Sequence, residues 1–108
     1  MDVLGARDTK RDDESYLLDL SSTDLRGVYL VDAHLDDIDF TNAHLEGADL
    51  SEASFKDSVL TGAHLAGANL SGAHLKDCKV TANELAAGHG NIATELPEGV
   101  ARPKNWAP

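Results

Sequence analysis

Ala43-His44-Leu45-Glu46-Gly47-Ala48-Asp49-Leu50-Ser51-Glu52 and, twenty residues on, Ala63-His64-Leu65-Ala66-Gly67-Ala68-Asn69-Leu70-Ser71-Gly72 decide the fold of this chain. In each, an apolar residue returns at every fifth position, with a small residue two places before it. The register extends outward in both directions, through Leu20, Leu25, Leu30, Leu35 and Phe40 on one side and Phe55, Leu60, Leu75, Val80 and Leu85 on the other. The small slot holds Ala33, Ala43, Ala48, Ala53, Ala63, Ala68 and Ala73, with Thr23, Val28, Ser58 and Cys78 as variants. A period of five matches neither the helix (3.6) nor the strand (2.0), so both usual templates fail and the repetition itself must be read.

If the leucine and the small residue both point inward, each unit supplies a short extended segment in which positions i−2 and i face the core. The next two residues must then turn a corner. They end in glycine at Gly27, Gly47, Gly62, Gly67 and Gly72, and in Asp or Asn at Asp32, Asp37, Asn42, Asp57 and Asp77. These residue types accept tight-turn backbone or bond to it. A single unit cannot satisfy its own backbone groups, so stacked coils must.

With this pattern the chain resembles the pentapeptide-repeat family: a small residue, Asp or Asn, Leu or Phe, then two variable positions. Ala48-Asp49-Leu50-Ser51-Glu52 and Ala68-Asn69-Leu70-Ser71-Gly72 match it in full. The resemblance covers fourteen consecutive units, and it implies an all-β fold, a right-handed quadrilateral parallel β-helix of about 3.5 coils with a non-repeat C-terminal cap. At about 4.8 Å per rung the stack is roughly 17 Å long. Positions twenty apart then lie one above another, giving columns such as Leu30/Leu50/Leu70 and Ala33/Ala53/Ala73.

Three segments are expected: a charged lead-in over 1–15, mobile or partly helical; the β-helix over 16–87, closed from above by Tyr16, Leu17 and Leu18; and a capping or docking tail over 88–108. A solenoid's last rung needs a lid. Ile92, Leu96, Val100 and Trp106 are the candidates, with docking of the tail onto a partner or a second copy as the alternative. The chain has no apolar run long enough to span a bilayer, the stretch Met1–Gly5 is not expected to act as a secretory leader, and the one cysteine, Cys78, is expected in an inward slot as a reduced thiol. The expected location is the cytoplasm.

No nucleophile–base pair, phosphate loop or metal-protease motif is present, so neither catalysis nor a cofactor is expected. Four histidines, His34, His44, His64 and His74, occupy the slot where the family's commonest residue is Asp or Asn. His44 and His64 stack in the column Asp24/His44/His64/Glu84 and are the weak candidates for a metal, lacking a third ligand by this reckoning. Asp37, Asp57 and Asp77 share a corner, where a solvated surface is expected rather than a calcium cage.

The formal charge of the chain is −10, and residues 16–87 hold twelve acids against four bases. Eight of those acids fall between Asp32 and Asp57. The side bearing Asp32, Asp49 and Glu52 without a base is the expected partner surface, with Trp106 as a tail contact. The function expected is a non-catalytic interaction or scaffold module that binds another protein. Some family members mimic duplex DNA and bind type II topoisomerases such as gyrase, which makes protection or inhibition of such an enzyme the alternative. Direct nucleic-acid binding is not expected, because an acidic surface repels phosphate.

Overall fold

The computed structural model describes residues 7–10 and 16–106, with only the backbone described for 7–10 and for Tyr16. Its framework is a set of parallel bridges at a spacing of twenty: Asp24 to His44, Tyr29 to Asp49, His34 to Ser54, Asp39 to Val59, and onward through His44 to His64 and Asn69 to His89. The ladder alternates in direction. His44 N–H donates back one coil to Thr23 O (2.9 Å), and Leu45 N–H donates forward to His64 O (2.9 Å). Four such bridging segments recur per twenty residues, so the coil has four sides.

The corners are β-turns closed from the small residue to the preceding apolar residue, as in Ala48 N–H to Leu45 O (3.0 Å), except at Leu35–Ile38, where the Ser58 hydroxyl stands between the two groups. Only the second turn residue has positive φ, the requirement of a type II turn. That position takes Gly47 at +70° but also Ser22 at +57° and Glu52 at +62°, residues with no special tolerance for it. The ladder bonds on either side hold these turns in place.

Inside, Phe40, Leu45, Leu50, Ala53, Phe55, Leu60, Leu70 and Leu75 are wholly buried, and Phe40 meets Phe55 edge-on at 5.9 Å. Each buried leucine contributes roughly 1.5–3 kcal/mol. Ser58 is a polar residue of the small slot with no exposure. Its hydroxyl accepts from Ile38 N–H (2.9 Å) and donates to Leu35 O, thereby bridging the turn above it.

Both ends depart from the repeat reading. In the lead-in, expected as mobile or partly helical, β1 (Arg7–Lys10) pairs antiparallel with β2 (Tyr16–Asp19), which pairs in parallel with β3 (Ile38–Asp39). The remainder of the 1–15 lead-in lies outside the described residues. Leu17 is buried as expected, whereas Leu18 is 39% exposed.

At the other end, the unit carrying Leu85 is helical, α1 (Ala82–Ala86), rather than extended. Thr81 and Glu84 form a capping box: Thr81 Oγ1 accepts from Glu84 N–H and the Glu84 carboxylate accepts from Thr81 N–H. Leu85 is nevertheless fully buried. The ladder then resumes within the segment assigned to the tail, since His89 bridges Asn69 and Glu95 bridges His74. Gly90 thus occupies the leucine slot beneath Leu70, and a Cβ there would run into the Trp106 ring. Trp106 is 6% exposed and donates Nε1–H to Gly88 O (3.1 Å). An indole from sixteen residues away fills the place of the missing leucine. The next turn carries one extra residue, which puts Ile92 at its tip, 70% exposed and not part of any lid. Leu96 and Val100 do pack against the core.

Candidate functional site

Why the outward slot prefers Asp or Asn is visible in the hydrogen bonds. The Oδ1 atoms of Asp19, Asp24, Asp39, Asp49 and Asn69 each accept the backbone N–H two residues on, at the first turn position. These are Asx bonds that help hold the corner. Imidazole at His34, His44, His64 and His74 does not make this bond, so the four histidines give up a turn contact that the Asp and Asn residues of the slot make.

The structure brings two of them together. His44 and His64 stack with ring centroids 4.5 Å apart and 6° between planes. A third group joins that the twenty-residue column did not include. Glu46, the first turn residue after Leu45, curls back so that Oε2 lies 3.4 Å from His44 Nδ1. The ligating atoms of His44, Glu46 and His64 all lie within 4.8 Å of one another. The Glu46 Oε1 atom is enclosed and makes no hydrogen bond of normal geometry. The amide of Glu46 itself, and after it the His44 ring, hold this carboxyl below the ordinary carboxylate range.

Beside this group, Arg26 grips Asp24 with Nε and Nη2 at 2.8 Å each, and this hydrogen-bonded pairing keeps the Asp24 carboxyl well below its usual range. The two charges offset each other at the rim of the shallow depression lined by Asp24, Arg26, His44 and Glu46. On another side His74 Nδ1 lies 2.8 Å from Glu95 Oε1. The corner aspartates form no comparable cluster. Asp36 beside them is tied to the next coil, accepting from Ser54 Oγ and from Lys56 N–H (2.9 Å).

The residues expected to meet a partner separate into three environments. Asp32 is exposed at a turn with φ +62°. Glu52, one coil below, is also exposed, and its carboxylate leans over the Cα of Gly72. Asp49 is half-buried, its Oδ1 accepting from Ser51 N–H (3.2 Å) and Ser51 Oγ–H (2.8 Å). Trp106 is enclosed by its own chain. The sequence reading missed Tyr29, which is 74% exposed and bridges Asp49 on the same side of the coil. Its position in the outward slot was the available signal. Cys78 is buried, and burial first, then Glu84, pushes its thiol up to about 12. That is the environment of an inert thiol.

Among the described residues, no helix is long and apolar enough to cross a membrane. A search of curated proteins found no match. Among solved structures, the chain is similar to the pentapeptide repeat protein Rfr23 of the cyanobacterium Cyanothece 51142, with 35% identity and a TM-score of 0.56 over 82% of this chain and 52% of that one. The chain therefore spans about half the length of that protein. A pentapeptide repeat protein of Nostoc Pcc 7120 matches at 23% identity, TM-score 0.35, over 77% of this chain and 73% of that one. A pentapeptide repeat protein from the Arabidopsis thaliana thylakoid lumen matches at 22% identity, TM-score 0.30, over 79% and 58% respectively. Proteins of this kind form right-handed β-helices. The pentapeptide-repeat model itself matches in eight copies over residues 19–57 and 38–77, more than half of the 108 residues, and the chain belongs to the pentapeptide-repeat family.

Proposed function

We propose that this protein is a non-catalytic interaction module, an acidic β-helix of about 3.5 coils whose side bearing Tyr29, Asp32, Asp49 and Glu52 docks onto a basic surface of another protein, in the cytoplasm. The observation that carries this reading is Tyr29. A tyrosine ring 74% exposed on a rigid ladder, with carboxylates at Asp32, Asp49 and Glu52 and no lysine or arginine at the outward positions of that side, has the composition of a protein-binding anchor. Tyrosine supplies contact area at low entropy cost, and fixed coil faces need little ordering on association. In this reading Leu96, Val100 and Trp106 serve as the lid, with Trp106 engaged internally, and the tail makes no homodimer.

The test is capture from a lysate of the source organism, with the wild-type chain beside Tyr29→Ala and Asp32→Asn/Glu52→Gln. A bound protein lost with Tyr29→Ala, and released from the wild-type chain as salt rises, supports the reading. Equal recovery by all three chains overturns it. A dimer in sedimentation that dissociates on removing residues 92–108 would replace the lid with a self-docking tail.

The girdle of eight acids between Asp32 and Asp57 favours one second reading, DNA mimicry toward a type II topoisomerase. About 17 Å of duplex carries roughly ten charges, close to what the coil bears. Two of those carboxylates, Asp36 and Asp39, are turned into local hydrogen bonds, which leaves fewer to track a DNA-binding groove. Salt-sensitive inhibition of gyrase supercoiling that survives Tyr29→Ala would promote this second reading over the first.

A further inference from the structure

We infer that His44, Glu46 and His64 form a binding site for a divalent transition metal of the zinc type, bridging two successive coils. Three observations converge. The ligating atoms already lie within 4.8 Å of one another, one from each of two stacked imidazoles and one from a carboxylate. The Glu46 Oε1 atom is enclosed without a normal hydrogen bond, while Oε2 faces the His44 ring. Both histidines stand in a slot where Asp or Asn makes a turn-holding bond that imidazole does not make.

Two histidines and a carboxylate suit a borderline ion such as Zn²⁺, with water completing a four-coordinate shell. The metal-free geometry is open. Bonds of about 2.0–2.2 Å to a tetrahedral ion put ligand atoms roughly 3.3 Å apart. The parallel rings must therefore turn about their Cβ–Cγ bonds so that their in-plane lone pairs converge. His44 and Glu46 side chains are 44% and 35% exposed and His64 is exposed, which leaves room for that rotation without moving the backbone. Arg26, which lines the same depression, is offset by its two bonds to Asp24 and so does not oppose the incoming charge.

The test is calorimetric titration of the untagged chain with Zn²⁺ alone, with Mg²⁺ as the control. His44→Asn and His64→Asn are the variants of choice, because Asn69 shows that the slot accepts asparagine and its turn bond. The expected result is one ion bound per chain, weakened roughly tenfold or more by His44→Asn, His64→Asn or Glu46→Gln and unchanged in His34→Asn. Co²⁺ in place of Zn²⁺ should show the absorption of a four-coordinate site, lost in the same variants. Absence of saturable binding overturns the site. Binding that His34→Asn or His74→Asn weakens as much as His44→Asn also overturns it, since any surface imidazole would then suffice.

Discussion

Replacing Trp106 by alanine removes the ring that occupies the empty leucine slot at Gly90, together with the Nε1–H bond to Gly88 O. Truncation of a buried Trp costs about 3–5 kcal/mol, and the lost hydrogen bond leaves the Gly88 carbonyl to find water. A domain of this size has about 5–15 kcal/mol in total, so the loss is a large fraction of its stability. Urea unfolding followed by circular dichroism should show it, with a fall in melting temperature on the order of 15 °C or more. The sharper form is a double-mutant cycle. Gly90→Leu in the wild-type chain drives a side chain into the indole and should cost about 1–3 kcal/mol. In the Trp106→Ala background the same leucine restores the column below Leu70 and should recover roughly 1.5–3 kcal/mol. The sign of the Gly90→Leu effect must therefore reverse between backgrounds. A Trp106→Ala cost under about 1 kcal/mol, or a Gly90→Leu penalty equal in both, would refute the substitution of one ring for one leucine.

Three further outcomes follow from the interior and the corners. Ala53 has no exposure and lies between Ala33 and Ala73, so Ala53→Leu should overpack the coil by about 1–3 kcal/mol, measured by urea midpoint at constant slope. Glu52 carries φ +62°, so Glu52→Gly should stabilise by about 1 kcal/mol, whereas Gly72→Ala, at φ +68° and against the Glu52 carboxylate, should destabilise. The buried Cys78 thiol keeps its proton to about 12, while in the unfolded chain it releases it from about 9.0. The unfolded state then binds fewer protons across that window, so stability falls as pH rises from about 9, by at most ~1.4 kcal/mol per unit. Cys78→Ala should flatten that alkaline slope, and Cys78 should react with a thiol reagent only as the chain unfolds.

The middle of the fold was legible because every unit from Leu20 to Val80 states its own register with a bulky inward residue, and most, though not those ending in Ser22 and Glu52, add a turn-tolerant corner. The ends were not, for distinct physical reasons. Gly90 keeps the frame but has no side chain to declare it, and its filler arrives from a residue remote in sequence. Thr81 and Glu84 are a helix-start signature embedded in an unbroken five-residue period, so the leucine at Leu85 masked a change from extended to helical backbone. Arg7–Lys10 is charged and carries no alternation, and only its antiparallel pairing with Tyr16–Asp19 makes it a strand. In the candidate metal group, the spacing of twenty placed His44 over His64, but Glu46 belongs to the same coil as His44 and reaches the column through its turn. Column arithmetic finds neighbours across coils and misses neighbours around a corner.

The docking face is tested most directly by a photo-crosslinking residue placed at Tyr29, with the same residue at the exposed Ala66 on a different side as the control. Irradiation in a lysate of the source organism should give one dominant adduct from position 29, diminished by salt and by Asp32→Asn/Glu52→Gln, and little from position 66. Equal adducts from both positions, or none from position 29, would contradict the assignment of this side as the protein's binding surface.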